Sequence, residues 1–378
     1  MGRATRGCGC AAAVLLLLAV SAGYLGVRYF YPWWKSQPPP ASGGELRVHF
    51  LDVGPINGDS VLIISPGNKT ALIDAGEQTK AKNVLAALAN QGVKQLDYFI
   101  ATHPHPDHLG GASEIIRNVK VLNIIDNGLQ PSLPENLLPQ PKSPARTRTR
   151  SAPQQTITRF FDDYKQAVGA SGAKYAQAQP GSKIDLGGGV ILTTLGPTEP
   201  YFTREQMKAG GNEPNANSIV MRLDYGSFSL LLTGDAEAQT ENRLLSKDLN
   251  LVARVLKVAH HGSKYATSQS FLNRVKPEVA VISCGEWNRY GHPSQTVLDR
   301  LQAANVKLFR TDLHGEITIS TRGRENDLKI TMQKTASTDV WVGRIAQKDD
   351  SSRAGFIAYG DFGPPPKPPS QKRTKPAK

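Results

Sequence analysis

"ATHPHPDHLGG", residues 101–111, sets His103, His105, Asp107 and His108 inside six consecutive positions. It follows "LDYFI", an apolar run that reads as a strand, and leads into "GGASEIIRNV", which reads as a helix. Pro104 and Pro106 hold the residues before them extended, so the imidazoles of His103 and His105 project to the same side. Asp107 and His108 then fall in the first turn of a helix predicted over residues 106–118. Three imidazoles and a carboxylate converging from a strand end and a helix start suit zinc, manganese or iron. A histidine-rich surface loop has no need of that spacing at such a junction.

Working outward, "ELRVHFLDVG" alternates apolar and polar residues like a strand with one covered face, and "SVLIIS" and "TALIDAG" predict a hairpin across the turn "PGNK". "KNVLAALANQG" predicts a helix stopped at Gly92, and "VKVLNIID" a further strand. A second series follows, from "GSKIDLGGGVILTTLGP" through "NSIVMRLDYG" and "SFSLLLTGD" to a closing hairpin of "GEITIST" and "DLKITMQ". Two series that each mix strands and helices predict an α/β fold, an αββα sandwich of two facing mixed sheets flanked by helices.

Two strand ends in the second series also carry ligand-type residues: Asp235 in "LLLTGDAE", and His260 with His261 in "LKVAHHGS". Alone, a carboxylate after a strand reads as a helix cap and a histidine as a core residue. Together with the cluster, three strand ends on one rim supply ligands for two metals about 3.5–4 Å apart.

These stretches, with "VHFLDVGPINGDSVLI", "VKPEVAVISCG" and "YGHPS", resemble the metallo-β-lactamase superfamily of αββα metal-dependent hydrolases. Within it the chain is similar to the extracytoplasmic hydrolase domain of competence (ComEC-type) DNA-uptake proteins and their free-standing relatives, over about residues 45–332. The resemblance implies His103 and His105 as ligands of a first divalent metal, Asp107 and His108 of a second, and Asp235 as the bridge. It implies His260 as the last ligand of the second metal, with His261 as the alternate, and zinc or else manganese in both places. Asp74 of "LIDAG" would support the ligand loop from behind. Ser263 and His292 would line the substrate side, and Asp59 and Ser60 of "GDS" would support the rim or touch substrate. A water activated between the metals would be the nucleophile, oriented by Asp107, with His261 or His292 protonating the leaving group.

Two departures stand out. The superfamily carries a further histidine just before the hairpin strand leading to "TGD", where this chain reads "GNEPNANSIV". The first metal is then expected to keep only His103, His105 and Asp235 with water, which either weakens that metal or leaves Asn217 and Ser218 to face substrate. The loop "VGPINGDS" is also longer than the "VGQGDS" common in the family. The resemblance implies hydrolysis of a phosphodiester, with DNA the leading substrate. Small or cell-envelope phosphodiesters are the alternative enzyme substrates. An accessory nucleic-acid-binding protein with an inert metal site is the alternative of another class.

Composition frames these readings. The 378 residues, 39% hydrophobic, suffice for one sizeable core with extensions, and the formal charge is +13. That excess sits in residues 1–44, 142–150 and 364–378, so any pull on a polyanion lies in appendages rather than the body. Arg3 and Arg6 precede "AAAVLLLLAVSAGYLGV", followed by "RYFYPWW" and a Pro/Gly linker at 36–44. Residues 1–35 therefore read as a signal peptide or N-terminal membrane anchor that would export the body. The hydrolase domain is expected over 45–335, with a Pro-rich basic loop at 129–153 and an extension with a disordered basic tail at 336–378. Cys284 alone lies in the body, where no disulfide can form and a buried structural thiol is expected. No obligate protein partner is implied.

Overall fold

The computed structural model describes residues 42–54, 57–131, 152–207, 213–286 and 290–345, together with Ser21, Tyr24 and Arg28. Residues 1–40 and 41–378 are separate compact units. The expected leader lies almost wholly outside the described residues, as do the basic segments 142–150 and 364–378. Among the described residues no helix is long and apolar enough to cross a membrane.

The first six strands are β1 (Leu46–Phe50), β2 (Val61–Ile64), β3 (Thr70–Ile73), β4 (Gln95–Ile100), β5 (Lys120–Asp126) and β6 (Lys174–Gln177). Seven more follow: β7 (Lys183–Asp185), β8 (Ile191–Gly196), β9 (Val220–Tyr225), β10 (Phe228–Leu232), β11 (Val255–Lys257), β12 (Val279–Ile282) and β13 (Lys307–Arg310). The last hairpin, β14 (Ile317–Thr321) and β15 (Lys329–Met332), does not stay with the second series as expected but returns to the first sheet, where β14 pairs antiparallel with β1. The sheets run β15-β14-β1-β2-β3-β4-β5-β6 and β13-β12-β11-β10-β9-β8-β7. In each, one half is antiparallel and the other parallel.

The period of two along each strand sorts the core into layers. Val61, Ile63, Ala71 and Ile73 face inward and meet Leu192, Leu223, Leu230 and Val281 of the opposite sheet. Leu62, Ile64 and Leu72 face outward, onto α1 (Ala81–Asn90), α3 (Ala112–Asn118) and α4 (Ala152–Ser171), through Val84, Leu88, Ile115 and Tyr164. The outer face of the second sheet packs on α6 (Ala238–Leu245), α7 (Gln269–Val275) and α8 (Gln295–Ala303), through Leu244, Phe271 and Leu298. Burying each such Leu, Val, Ile or Phe contributes about 1.5–3 kcal/mol, so the αββα layering follows from the pattern itself.

The helix expected over 106–118 is two helices, α2 (Pro106–Leu109) and α3, broken at Gly110 and Gly111. The break has a steric cause. Gly111 N–H donates to the Gly76 carbonyl at 2.9 Å, and a Cβ on Gly111 would stand 2.4 Å from the Ala75 oxygen. Helix α4 begins inside the expected 129–153 loop, and β6, exposed throughout, gave no alternation to read. Residues 340–344, expected to be a patternless extension, dock instead: Arg310 Nη1 donates to the carbonyls of Val340 (2.9 Å) and Val342 (2.6 Å).

Candidate metal centre

The parallel halves of both sheets end at one rim, where strand carboxyl ends present side chains to a shared space. Beyond β3, Asp74 adopts φ 59° and turns its carboxylate across to the end of β4. Its Oδ1 accepts from Thr102 N–H at 2.7 Å and its Oδ2 from Thr102 Oγ1 at 2.8 Å. The same hydroxyl lies 3.0 Å from His103 Nδ1, and Asp74 Oδ2 accepts from His108 Nδ1 at 2.7 Å. One buried carboxylate thus fixes two rings so that each presents its Nε2 forward, as a metal-binding histidine requires.

From the opposite sheet, Asp235 follows β10 across Gly234, whose φ is 49°. A Cβ on Gly234 would stand 3.1 Å from Thr102 Cβ and 3.2 Å from Ser218 Cβ, so glycine allows the two strand ends to meet. Asp235 Oδ1 lies 3.2 Å from His108 Nε2, and Oδ2 3.8 Å from His103 Nε2. After β11, His260 (φ 49°) and His261 (φ 53°) are both left-handed. His261 Nδ1 donates to the Ser283 carbonyl at 2.9 Å, which leaves Nε2 facing Asp107 Oδ2 (3.2 Å) and Asp235 Oδ2 (3.6 Å).

Two sets result, each with ligand atoms within 4.8 Å of one another: His103, His105 and Asp235; and Asp59, His108, Asp235 and His261. Asp235 belongs to both. The nitrogens His103 Nε2 and His108 Nε2, with Asp235 Oδ1 and Asp59 Oδ1, are buried and make no hydrogen bond. Buried polar atoms are nearly always satisfied, so four such atoms converging on one space fit divalent cations.

The electrostatics agree. Burial pushes the imidazoles of His103 and His105 down, His105 to about 4, which keeps them in the neutral form that binds metal. Burial also opposes charge on His261 and His108, yet the carboxylates outweigh it. Asp235 and Asp59 push His261 up to about 10, and Asp235 and Asp74 hold His108 well above its ordinary value. Asp107 resists burial and is held at about 2, chiefly by its hydrogen bond from His261. The buried carboxylates therefore draw positive charge into the site, and divalent ions would supply it in place of those protons.

The structure brings together His103, His105, His108 and Asp235, all expected as ligands. His261 rather than His260 joins the second set, and Asp59, read from sequence as support or a substrate contact, joins it too. Asp59 N–H donates to the Asp107 carbonyl (3.1 Å), and its Oδ2 pairs with the buried Lys257 Nζ (2.6 Å). Asp107 stands at the same rim with its side chain 21% exposed, in contact with His261.

The expected substrate contacts fare differently. Asn217 does not face the space: its amide bonds the backbone N–H and carbonyl of Phe202 (both 2.9 Å) and the Glu213 carbonyl (3.1 Å). Ser218 Oγ accepts from Asp235 N–H at 3.2 Å and so braces the bridging residue. Ser263 is buried, its Oγ near Tyr265 N–H (3.4 Å). His292 lies beside the site, its ring 5.2 Å from that of His260 and stacked 6.5 Å from that of His261. Cys284 is buried as expected, with Sγ donating to Asp312 Oδ1.

Residues 53–200 match the pattern of the metallo-beta-lactamase superfamily. The chain is 28% identical to ComE operon protein 3 of Bacillus subtilis (strain 168) over 302 residues, covering 75% of this chain and 34% of that protein. It is 30% identical to competence protein ComA of Neisseria gonorrhoeae over 320 residues, covering 80% and 38% respectively. The chain thus spans about a third of the length of these curated relatives. Among solved structures, a diphosphatase from the PhnP family is similar at 13% identity and a TM-score of 0.39, over 70% of this chain and 94% of that one.

Proposed function

The chain belongs to the metallo-beta-lactamase superfamily of hydrolases, and from that premise we propose that it is an exported or membrane-anchored phosphodiesterase that cuts DNA. The observation that carries this reading is the pair of ligand sets sharing Asp235, in a chain similar to competence proteins over three quarters of its length. A divalent pair bound there would supply an activated nucleophile and a sink for the charge developing on phosphorus. Asp107, at the partly open edge of the site, would accept a hydrogen bond from an incoming water and aim it. Burial, with His260 and His261 beside it, holds His292 well below the usual imidazole value, so it meets substrate neutral and offers one donor or one acceptor to the leaving group. The basic stretches at 142–150 and 364–378 supply charge for a polyanion, and the apolar segment at 11–27 supports export.

The test uses the full chain loaded with zinc or manganese and offered linear DNA, single-stranded DNA, bis-p-nitrophenyl phosphate and a lactam. The expected result is cleavage of DNA by the wild type and none by the Asp107→Ala, His108→Ala double variant. Cleavage of the small ester without DNA would move the substrate to small or cell-envelope phosphodiesters. Retained metal with no cleavage of anything would favour an accessory nucleic-acid-binding role.

A further inference from the structure

The two ligand sets are unequal: the second has four protein donors and the first only three, His103, His105 and Asp235. Zinc and its neighbours bind four or more donors. The stretch "NEPNANS" folds as α5 (Glu213–Ala216) and brings Asn215, not an imidazole, toward the site. We infer that His260 is the fourth protein ligand of the first metal, so that the adjacent histidines of "HHGS" are divided between the two ions. This rests on the two-metal reading given above.

Three observations carry it. His260 Nε2 lies 3.8 Å from Asp235 Oδ2, the same separation as His103 Nε2 from that oxygen. Its other nitrogen, Nδ1, lies 3.5 Å from the buried Glu237 Oε1, the arrangement His108 makes with Asp74 behind and Asp235 in front. A carboxylate behind a metal-binding histidine fixes its tautomer and aims it. Asn215 Nδ2, 3.3 Å from Glu237 Oε1, holds that carboxylate behind His260.

The backbone is the third observation. An extended continuation of β11 would send neighbouring side chains to opposite faces. Left-handed conformation costs roughly 1–2 kcal/mol for a non-glycine residue, and this chain keeps two in succession, His260 and His261. The result is that both rings reach Asp235 Oδ2, at 3.8 and 3.6 Å, while His261 alone turns to Asp107.

The experiment titrates cobalt(II) into the full chain and its His260→Asn, His261→Asn and Glu237→Gln variants. Absorption in the visible and metal content after equilibrium dialysis are read together. The wild type is expected to bind about two equivalents. His260→Asn should fall to about one equivalent, held as tightly as the tighter ion of the wild type. His261→Asn should instead weaken the ion that His260→Asn leaves intact. Glu237→Gln should keep two sites with the first weakened roughly 10- to 100-fold, which also reads the proposal if His260→Asn fails to fold. Two equivalents at wild-type affinity in His260→Asn would overturn the inference and leave the two-metal reading standing. A wild type that binds one equivalent or none would overturn both.

Discussion

His108 and His260 both aim Nε2 at Asp235, but His108 rests its Nδ1 on Asp74 at 2.7 Å whereas His260 stands 3.5 Å from Glu237. The contrast extends to the sets around them. In the second, His261 is tied to the Ser283 carbonyl and Asp59 to Lys257. In the first, the hydroxyl of Thr102 holds His103 at 3.0 Å. Donors already held in place lose less freedom on binding, so the second metal should be the tighter and the first the exchangeable one. The two sheets contribute unlike pieces to this pair: the first a short histidine run with Asp59 from the loop before β2, the second a carboxylate and two histidines on strained turns.

The largest effect tests what the sets share. Asp235→Asn should abolish binding of both ions and lower turnover at least about 10³-fold; retention of one tight ion would show that the sets are independent. Next comes Lys257→Met, which removes the 2.6 Å partner of the buried Asp59 carboxylate and leaves it only His261 Nδ1 at 3.4 Å and His108 Nδ1 at 3.9 Å. Urea unfolding of the metal-free chain should lose about 3–5 kcal/mol, and added zinc should restore part of it because Asp59 then gains a cation. An equal loss with and without zinc would remove Asp59 from the ligand set.

Asp74→Ala and Glu237→Gln compare the braces directly. The former, which frees His103 through Thr102 as well as His108, should weaken both ions, the second roughly 100-fold, and the latter only the first ion, about 10-fold, by competition with a chelator; a second ion weakened less by Asp74→Ala than the first by Glu237→Gln would break the ranking. The smallest effect belongs to the strap behind the second sheet. Arg344 N–H donates to the Pro293 carbonyl, next to His292, and its guanidinium pairs with Asp312 at 2.7 Å. Against burial, Arg310 and then Arg344 hold the Asp312 carboxyl below its usual value, so the stability it lends is present above about pH 4 and lost as pH falls further. Arg344→Ala should therefore cost about 1 kcal/mol at pH 7 and less at pH 3, by urea midpoints; a pH-independent cost would detach it from Asp312.

The uneven legibility of the site has physical causes. "HPHPDH" could be read because proline restricts its backbone locally, and the alternating strands declared both sheets. Asp235 could be read from the strand before it. His260 and His261 could not be told apart, because the choice depends on two left-handed residues that no local pattern signals. Asp59 was hidden in a loop, its importance set by Lys257 almost two hundred positions later. The shared "GDS" is the one signal that pointed to it. Asn217 looked free to face substrate because its main partner, the backbone of Phe202, lies fifteen positions away, beyond any local pattern. The crossing of β14 to β1 and the break at Gly111 are likewise long-range outcomes.

On the proposed reading Asp235 joins two metals in one centre. Electron paramagnetic resonance of the full chain loaded with manganese(II) tests it most directly, because ions about 3.5–4 Å apart couple magnetically. The expected result is a broad, exchange-coupled multiline spectrum that collapses to isolated manganese in Asp235→Asn. An uncoupled spectrum of isolated ions in the wild type would contradict it.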